Sequence, residues 1–236
     1  MGEDTRRIPA PREPLHAVIV AAGASRRAGF DKLAAPLCGV SVLCRSIEAF
    51  AEAGAAHIVV VASRERWDAA GVGTLSLPCP LVRVDGGAER QDSVASGLAA
   101  LPSCCRWVAV HDGARPLIRP ADILRCFEAA RRCGAAACAH PVADTLKRAD
   151  DGAFTLPGAV SRECLWGMET PQIFDVGILR RAGAYVRREG VRVTDEVSAV
   201  EAVGVRTALI PGGCNVKITW PGDLALAEAV WRHEHR

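Results

Sequence analysis

Three short stretches of this sequence gather residue types that bind anions. The first runs from Ala21-Ala22-Gly23-Ala24-Ser25 through Arg26, Arg27 and Lys32. Small residues let a backbone approach a ligand closely, and exposed amide groups can hold phosphate oxygens. The stretch contains neither a Walker Gly-Lys-Ser/Thr nor a complete Gly-x-Gly-x-x-Gly. Its spacing alone fits a phosphate site and a basic surface loop equally. The second stretch, Asp85-Gly86-Gly87-Ala88-Glu89-Arg90-Gln91-Asp92-Ser93, pairs two glycines with a serine that opens toward a helix. Taken alone it reads as an ordinary strand–helix turn. The third, His111-Asp112-Gly113-Ala114-Arg115-Pro116, places a carboxylate at the end of an apolar run. Such a carboxylate suits Mg²⁺, which keeps several waters and needs one or two protein carboxylates. It also suits a helix cap, and Arg115 suits pairing with a carboxylate to fix the loop.

The elements that must position these loops follow from hydrophobic pattern. Residues 15–22 (LHAVIVAA) are continuously apolar and β-branched, as in a buried parallel strand. Residues 41–54 carry Val42, Leu43, Ile47 and Phe50 at helical spacing, with Ser41 as cap and Gly54 as stop. Alternation continues: strands at 57–62, 81–84, 107–111 and 135–142, helices at 64–70, 89–101 and 121–132. This pattern calls for a Rossmann-like α/β fold, a mostly parallel sheet with helices on both faces. Ligands of such sheets bind beyond the carboxyl ends of the strands, where all three loops fall. Residues 143–167 break the rhythm with Asp-Asp-Gly and Leu-Pro-Gly turns, and read as a protruding β arm. Helices at 175–189 and 195–202, strands at 205–210 and 215–219, and a helix at 222–231 complete the expectation. A tail at 1–14 precedes a single domain over 15–236.

Composition narrows the class. The 29 Lys+Arg against 27 Asp+Glu give a net charge of +2, which disfavours a dedicated nucleic-acid binder but not a small anionic substrate. Lys32, Lys147 and Lys217 are the lysines of an otherwise arginine-based set of cations. The 10 cysteines include no Cys-x-x-Cys pair and no zinc spacing, so they read as small buried residues in a reducing, cytoplasmic setting. Residues 1–14 lack a secretory apolar core, and no apolar run is long enough for a membrane span.

Over residues 17–230 the motifs AAG…RR…K, DGG-x-ER-x-DS, HDGARP, PVADTLKR, TPQIF, TDE and NVKIT-x-P-x-DLALAE follow one another in order. The set resembles the 2-C-methyl-D-erythritol 4-phosphate cytidylyltransferases of the non-mevalonate isoprenoid pathway. The resemblance implies transfer of CMP from CTP to methylerythritol phosphate, with pyrophosphate released and Mg²⁺ or another divalent cation as cofactor. It implies Arg27, Lys32, Arg162 and Lys217 as catalytic residues. Ala21, Ala22, Gly23, Ala24, Ser25, Gly87, Arg90 and Ser93 would bind CTP. Asp112, Gly113, Arg115, Thr145, Arg162, Thr194 and Lys217 would bind the acceptor, with Asp112 also at the metal. It further implies a homodimer whose β arm carries Thr145 and Arg162 into the neighbour's site.

Elementary chemistry agrees with that reaction. The attacking phosphate oxygen is already an anion, so the task is to hold several anions together in line, which cations, amide donors and Mg²⁺ accomplish. The sequence departs from the family at Ser25, where a glycine is usual, at Asp31, where a proline is usual, and at Ala88, where an acid is common; its first loop is also shorter. A cytidylyltransferase for another polyol phosphate, such as ribitol 5-phosphate, would share the nucleotide loops. A dinucleotide oxidoreductase is disfavoured, because the second strand ends Val61-Ala62-Ser63 without an acidic residue. An inactive binding protein of this fold is disfavoured by Arg27, Lys32, Asp112 and Lys217.

Overall fold

The structure, a computed structural model, describes residues 13–23, 29–152 and 154–235. Seven strands form one sheet in the order β5-β4-β1-β6-β8-β7-β9. β1 (Leu15–Val20) lies between β4 (His57–Val61) and β6 (Trp107–Asp112), parallel to both, and β5 (Leu81–Val84) extends the parallel half. The continuous apolar run of β1 is explained by burial on both faces. Ala17 and Ile19 face a cluster with Leu43, Ile47 and Phe50 of α1 (Val42–Glu52) and Ile123 and Phe127 of α4 (Pro120–Cys133). Val18 faces the opposite cluster, with Val94 and Leu98 of α3 (Arg90–Ala99) and Leu179 and Val186 of α5 (Val176–Glu189). α3 can lie this close because residue 97 is glycine: a Cβ there would stand 2.4 Å from Val18 Cγ1.

The local signals act as expected at several ends. Ser41 accepts a hydrogen bond from Cys44 N at 3.2 Å and caps α1. Glu89 and Asp92 form a capping box at the start of α3. A small hairpin, β2 (Pro36–Leu37) and β3 (Val40–Ser41), leads into α1. α2 (Arg64–Ala69) follows β4, with Ser63 as its cap.

The other half of the sheet departs from the expectation. β8 (Trp166–Asp175), unforeseen as a strand, runs antiparallel between β6 and β7 (Ala135–Pro141). Its Pro171 falls where the β7–β8 register shifts, a position that asks no ladder donation of it. Trp166 and Gly167 therefore belong to the sheet, and the arm ends before them. The arm joins at bridges Leu146↔Val160 and Ala149↔Thr155, and exposes Phe154 and Leu156. β9 (Ala208–Pro211) pairs parallel with β7 at the edge. Residues 215–219, expected as a strand, are irregular because side chains and a loop take their backbone groups: Asn215 O accepts from Arg115, Ile218 O from Lys32, and Ile218 N donates to Ala114 O. α6 (Glu196–Glu201) and α7 (Pro221–Glu234) complete the fold. All ten cysteines are free, but Cys104, Cys133, Cys164 and Cys214 are exposed rather than buried, since they lie in connections and at a helix end.

Candidate active site

The carboxyl ends of β1, β4, β5 and β6 bring the three loops together. Gly86 packs so closely that a Cβ there would stand 2.4 Å from Ala22 Cβ and 2.9 Å from Ser93 Oγ. Only glycine permits that approach, so the second loop lies directly against the first. Ser93 is buried; its Oγ accepts from Gly87 N and donates to Glu89 O, both at 3.2 Å. Gly113 N donates to Val20 O at 3.0 Å, which ties the third loop to the end of β1.

Asp112 is the electrostatic centre. Its Oδ2 accepts from Lys217 Nζ at 2.6 Å and its Oδ1 from Arg90 Nη2 at 3.4 Å. Burial by itself would raise the Asp112 carboxyl, but Lys217 and Arg90 outweigh it and hold the group well below the usual carboxylate range. Arg90 also donates to the buried Glu196 at 2.5 Å. Burial works against the Arg90 charge, yet these two carboxylates raise its pKa further. The guanidinium is thus held between two anions of the protein.

Behind Asp112 stands an uncharged support. Asp112 N donates to Thr170 Oγ1 at 3.0 Å, and Thr170 Oγ1 meets His111 Nδ1 at 3.0 Å. His111 Nε2 lies 3.2 Å from Arg115 O. The pattern closes when His111 is neutral with its proton on Nε2, Thr170 donating to Nδ1. Burial pushes the His111 pKa down to about 4, which keeps it neutral. Phe50 packs against the ring at 5.0 Å between centroids. Arg115 donates to Asn215 O at 2.7 Å and Met168 O at 3.4 Å; it fixes the loop through carbonyls, where a carboxylate partner was the expectation. Gln172 accepts from the N–H groups of Glu196 and Val197 at 3.1 Å and donates to Asp195 at 2.8 Å, which sets the start of α6.

Lys32 Nζ donates to Ile218 O at 2.6 Å, so the end of the first loop rests on the segment that carries Lys217. Ala21, Ala22 and Gly23 lie at the end of β1. Ala24, Ser25 and Arg27 fall outside the described residues. Thr194 stands beside the start of α6. Thr145 and Arg162 are exposed on the arm, where Arg162 donates to Ala143 O. Among the described residues no hydrogen bond ties Thr145 or Arg162 to Asp112 or Lys217. The structure thus gathers Lys32, Arg90, Asp112, Gly113, Arg115 and Lys217, and leaves Thr145 and Arg162 apart. Sequence reasoning does not single out His111, Thr170, Gln172 or Glu196, although each lies inside a motif quoted above.

At the strand ends a glycine-edged loop and facing cations surround one ionised, half-buried carboxylate, a setting suited to phosphate anions, and the chain's relatives make it a nucleotidyltransferase. Residues 15–233 match the IspD family, described as 2-C-methyl-D-erythritol 4-phosphate cytidylyltransferase. The enzyme of that name from Prochlorococcus marinus (strain MIT 9313) is 40% identical over 220 residues, covering 92% of this chain and 97% of that protein. The Ralstonia nicotianae (strain ATCC BAA-1114 / GMI1000) enzyme is 42% identical over 234 residues, covering 91% and 90%. The crystal structure of the Thermus thermophilus enzyme superposes with a TM-score of 0.76 at 35% identity, covering 93% of this chain and 99% of that one. The chain belongs to the 2-C-methyl-D-erythritol 4-phosphate cytidylyltransferase family.

Proposed function

We propose that the two anionic reactants of the family's reaction meet above Asp112, between Lys32 and Lys217. The chain transfers CMP from CTP to 2-C-methyl-D-erythritol 4-phosphate and releases pyrophosphate. The observation that carries the location is the ionised Asp112 carboxylate pinned by Lys217 beside the Lys32-bearing loop. The first loop, residues 21–32, takes the triphosphate, with Arg27 and Lys32 balancing its charge. Gly87 and Ser93 shape the wall for cytidine. Lys217 faces the acceptor phosphate, with Thr194, Arg115 and Gly113 nearby. Arg90, engaged by Glu196 and Asp112, holds Asp112 in place and lies beside the wall that would take the nucleotide.

Proton transfer is not the difficulty, because the acceptor phosphate is already an anion. The chain's own work is to hold two polyanions in line and to balance the charge that grows on the leaving pyrophosphate. The donor set fits Mg²⁺ carried mainly by the triphosphate and water: one ionised carboxylate is present, and among the described residues no group of three or more metal-ligating side chains forms a cage of its own. When bound, Mg²⁺ would polarise phosphoryl oxygens, with Asp112 as its protein ligand.

We further read the arm as the element that completes a partner's acceptor site through Thr145 and Arg162, in a two-fold dimer. Exposed Phe154 and Leu156 are consistent with an arm that packs on another copy. Among the described residues no helix is long and apolar enough to cross a membrane. Ten free thiols are in keeping with work in a reducing cytoplasm. The test of the site is Lys217→Gln. The expected result is a KM for methylerythritol phosphate raised roughly 10- to 100-fold, the range for one charge-assisted hydrogen bond, with a smaller change for CTP. A raised KM for CTP with an unchanged acceptor KM would contradict the assignment.

A further inference from the structure

Arg66, near the start of α2, belongs to none of the motifs above, yet it touches both ends of the first loop. Its Nη1 donates to Ala21 O at 2.6 Å and to Gly23 O at 2.9 Å, where the chain leaves β1. Its Nε donates to Asp31 at 3.0 and 3.2 Å, where the chain arrives at Lys32. The Arg66 side chain is 13% exposed and that of Asp31 36%. One planar guanidinium therefore joins residues on either side of the segment between Gly23 and Asp31. Arginine's rigid planar fork holds two directions in a fixed geometry; a lysine ammonium, a compact charge on a flexible stem, offers donors but no such fixed fork.

In a planar trans peptide the carbonyl and the amide N–H point in opposite directions. Holding Ala21 O toward Arg66 turns the Ala22 N–H away from it, across the loop. Asp31, for its part, places a carboxylate immediately before Lys32, in a loop that must receive a triphosphate. An unpaired anion there would repel the nucleotide, and the Arg66 charge cancels it.

We propose that Arg66 and Asp31 form a latch at the base of the triphosphate loop, with Arg66 a positioning residue for Lys32 and the Ala22 amide and a neutraliser of Asp31. The inference rests on the reading of residues 21–32 as the triphosphate loop. α2 buries none of its residues, so replacing Arg66 removes little core packing.

The test compares wild type, Arg66→Ala, Arg66→Lys, Asp31→Asn and the double variant Arg66→Ala/Asp31→Asn. CTP affinity is read by titration calorimetry, KM and kcat by pyrophosphate release, and folding by circular dichroism. Arg66→Ala should weaken CTP binding roughly 10- to 100-fold, the scale of lost charge-assisted hydrogen bonds. Arg66→Lys should fall between it and wild type, and Asp31→Asn alone should change affinity only a few-fold. The double variant should bind CTP roughly threefold or more tighter than Arg66→Ala, because the exposed anion is gone. Wild-type affinity in folded Arg66→Ala would overturn the latch, as would a double variant no better than Arg66→Ala. Should Arg66→Ala fail to fold, wild-type affinity in Arg66→Lys would overturn it instead. Unchanged CTP binding by a Lys32→Ala control would count against the triphosphate reading itself, a separate failure.

Discussion

His111 offers a sharp test of how Asp112 is supported. The ring is fully buried, and its pKa falls from 6.5 in a free histidine to about 4. An unfolded chain therefore binds a proton at His111 more readily than the folded chain does. Its contribution to stability is full above pH 6.5 and is lost as pH falls toward 4. With those two values the loss reaches about 2 kcal/mol at pH 5 and about 3 kcal/mol at pH 4. The assay is urea unfolding of wild type and His111→Gln, each at pH 7 and pH 5. Glutamine keeps a hydrogen-bonding end but cannot take the proton, so the variant should be less stable at pH 7 yet lack this part of the pH dependence. Other groups titrate in both proteins and cancel. The difference in stability loss between the two proteins should be about 2 kcal/mol. Equal losses would mean that His111 is not held neutral against Thr170 and Arg115, and the support for Asp112 would need another explanation.

Lys32→Ala should lower turnover roughly 100-fold or more while leaving the fold intact, since it removes one charge stabiliser from the site; steady-state pyrophosphate release checks this, and near-normal turnover would reject the role. Mixing Arg162→Ala chains with Lys217→Ala chains, each expected to be nearly inactive alone at acceptor concentrations far below its raised KM, should restore roughly a quarter of wild-type activity, because half the dimers are mixed and each mixed dimer keeps one intact site. No recovery, with subunit exchange verified, would place Arg162 in its own chain's site.

The parallel half of the sheet is legible in the sequence because β1 and β4 end in β-branched runs, Val18–Val20 and Ile58–Val61, and burial on both faces favours that pattern. β8 is not legible: WGMETPQIFD holds glycine, threonine, proline and two acids, and neither alternates nor runs apolar. What makes it a strand is tertiary, the two partners that enclose it and a bulge that accommodates Pro171. The same blindness hides Thr170 and Gln172, whose roles depend on that placement. Residues 215–219 mislead in the opposite sense, for their β-prone side chains sit on a backbone claimed by Arg115 and Lys32. Asp112 and Lys217 can be named from motifs, but 105 residues separate them, and only the fold puts them at 2.6 Å. Arg66 carries no signal beyond its place just after a strand end.

The most direct test is a single assay. Purified protein is incubated with Mg²⁺ and CTP, with methylerythritol phosphate or ribitol 5-phosphate as acceptor and ATP as the competing nucleotide, and pyrophosphate release is followed. The account predicts that CTP with methylerythritol phosphate gives the highest kcat/KM, with release that depends on the acceptor. Greater efficiency with ribitol 5-phosphate, or with ATP in place of CTP, would contradict it.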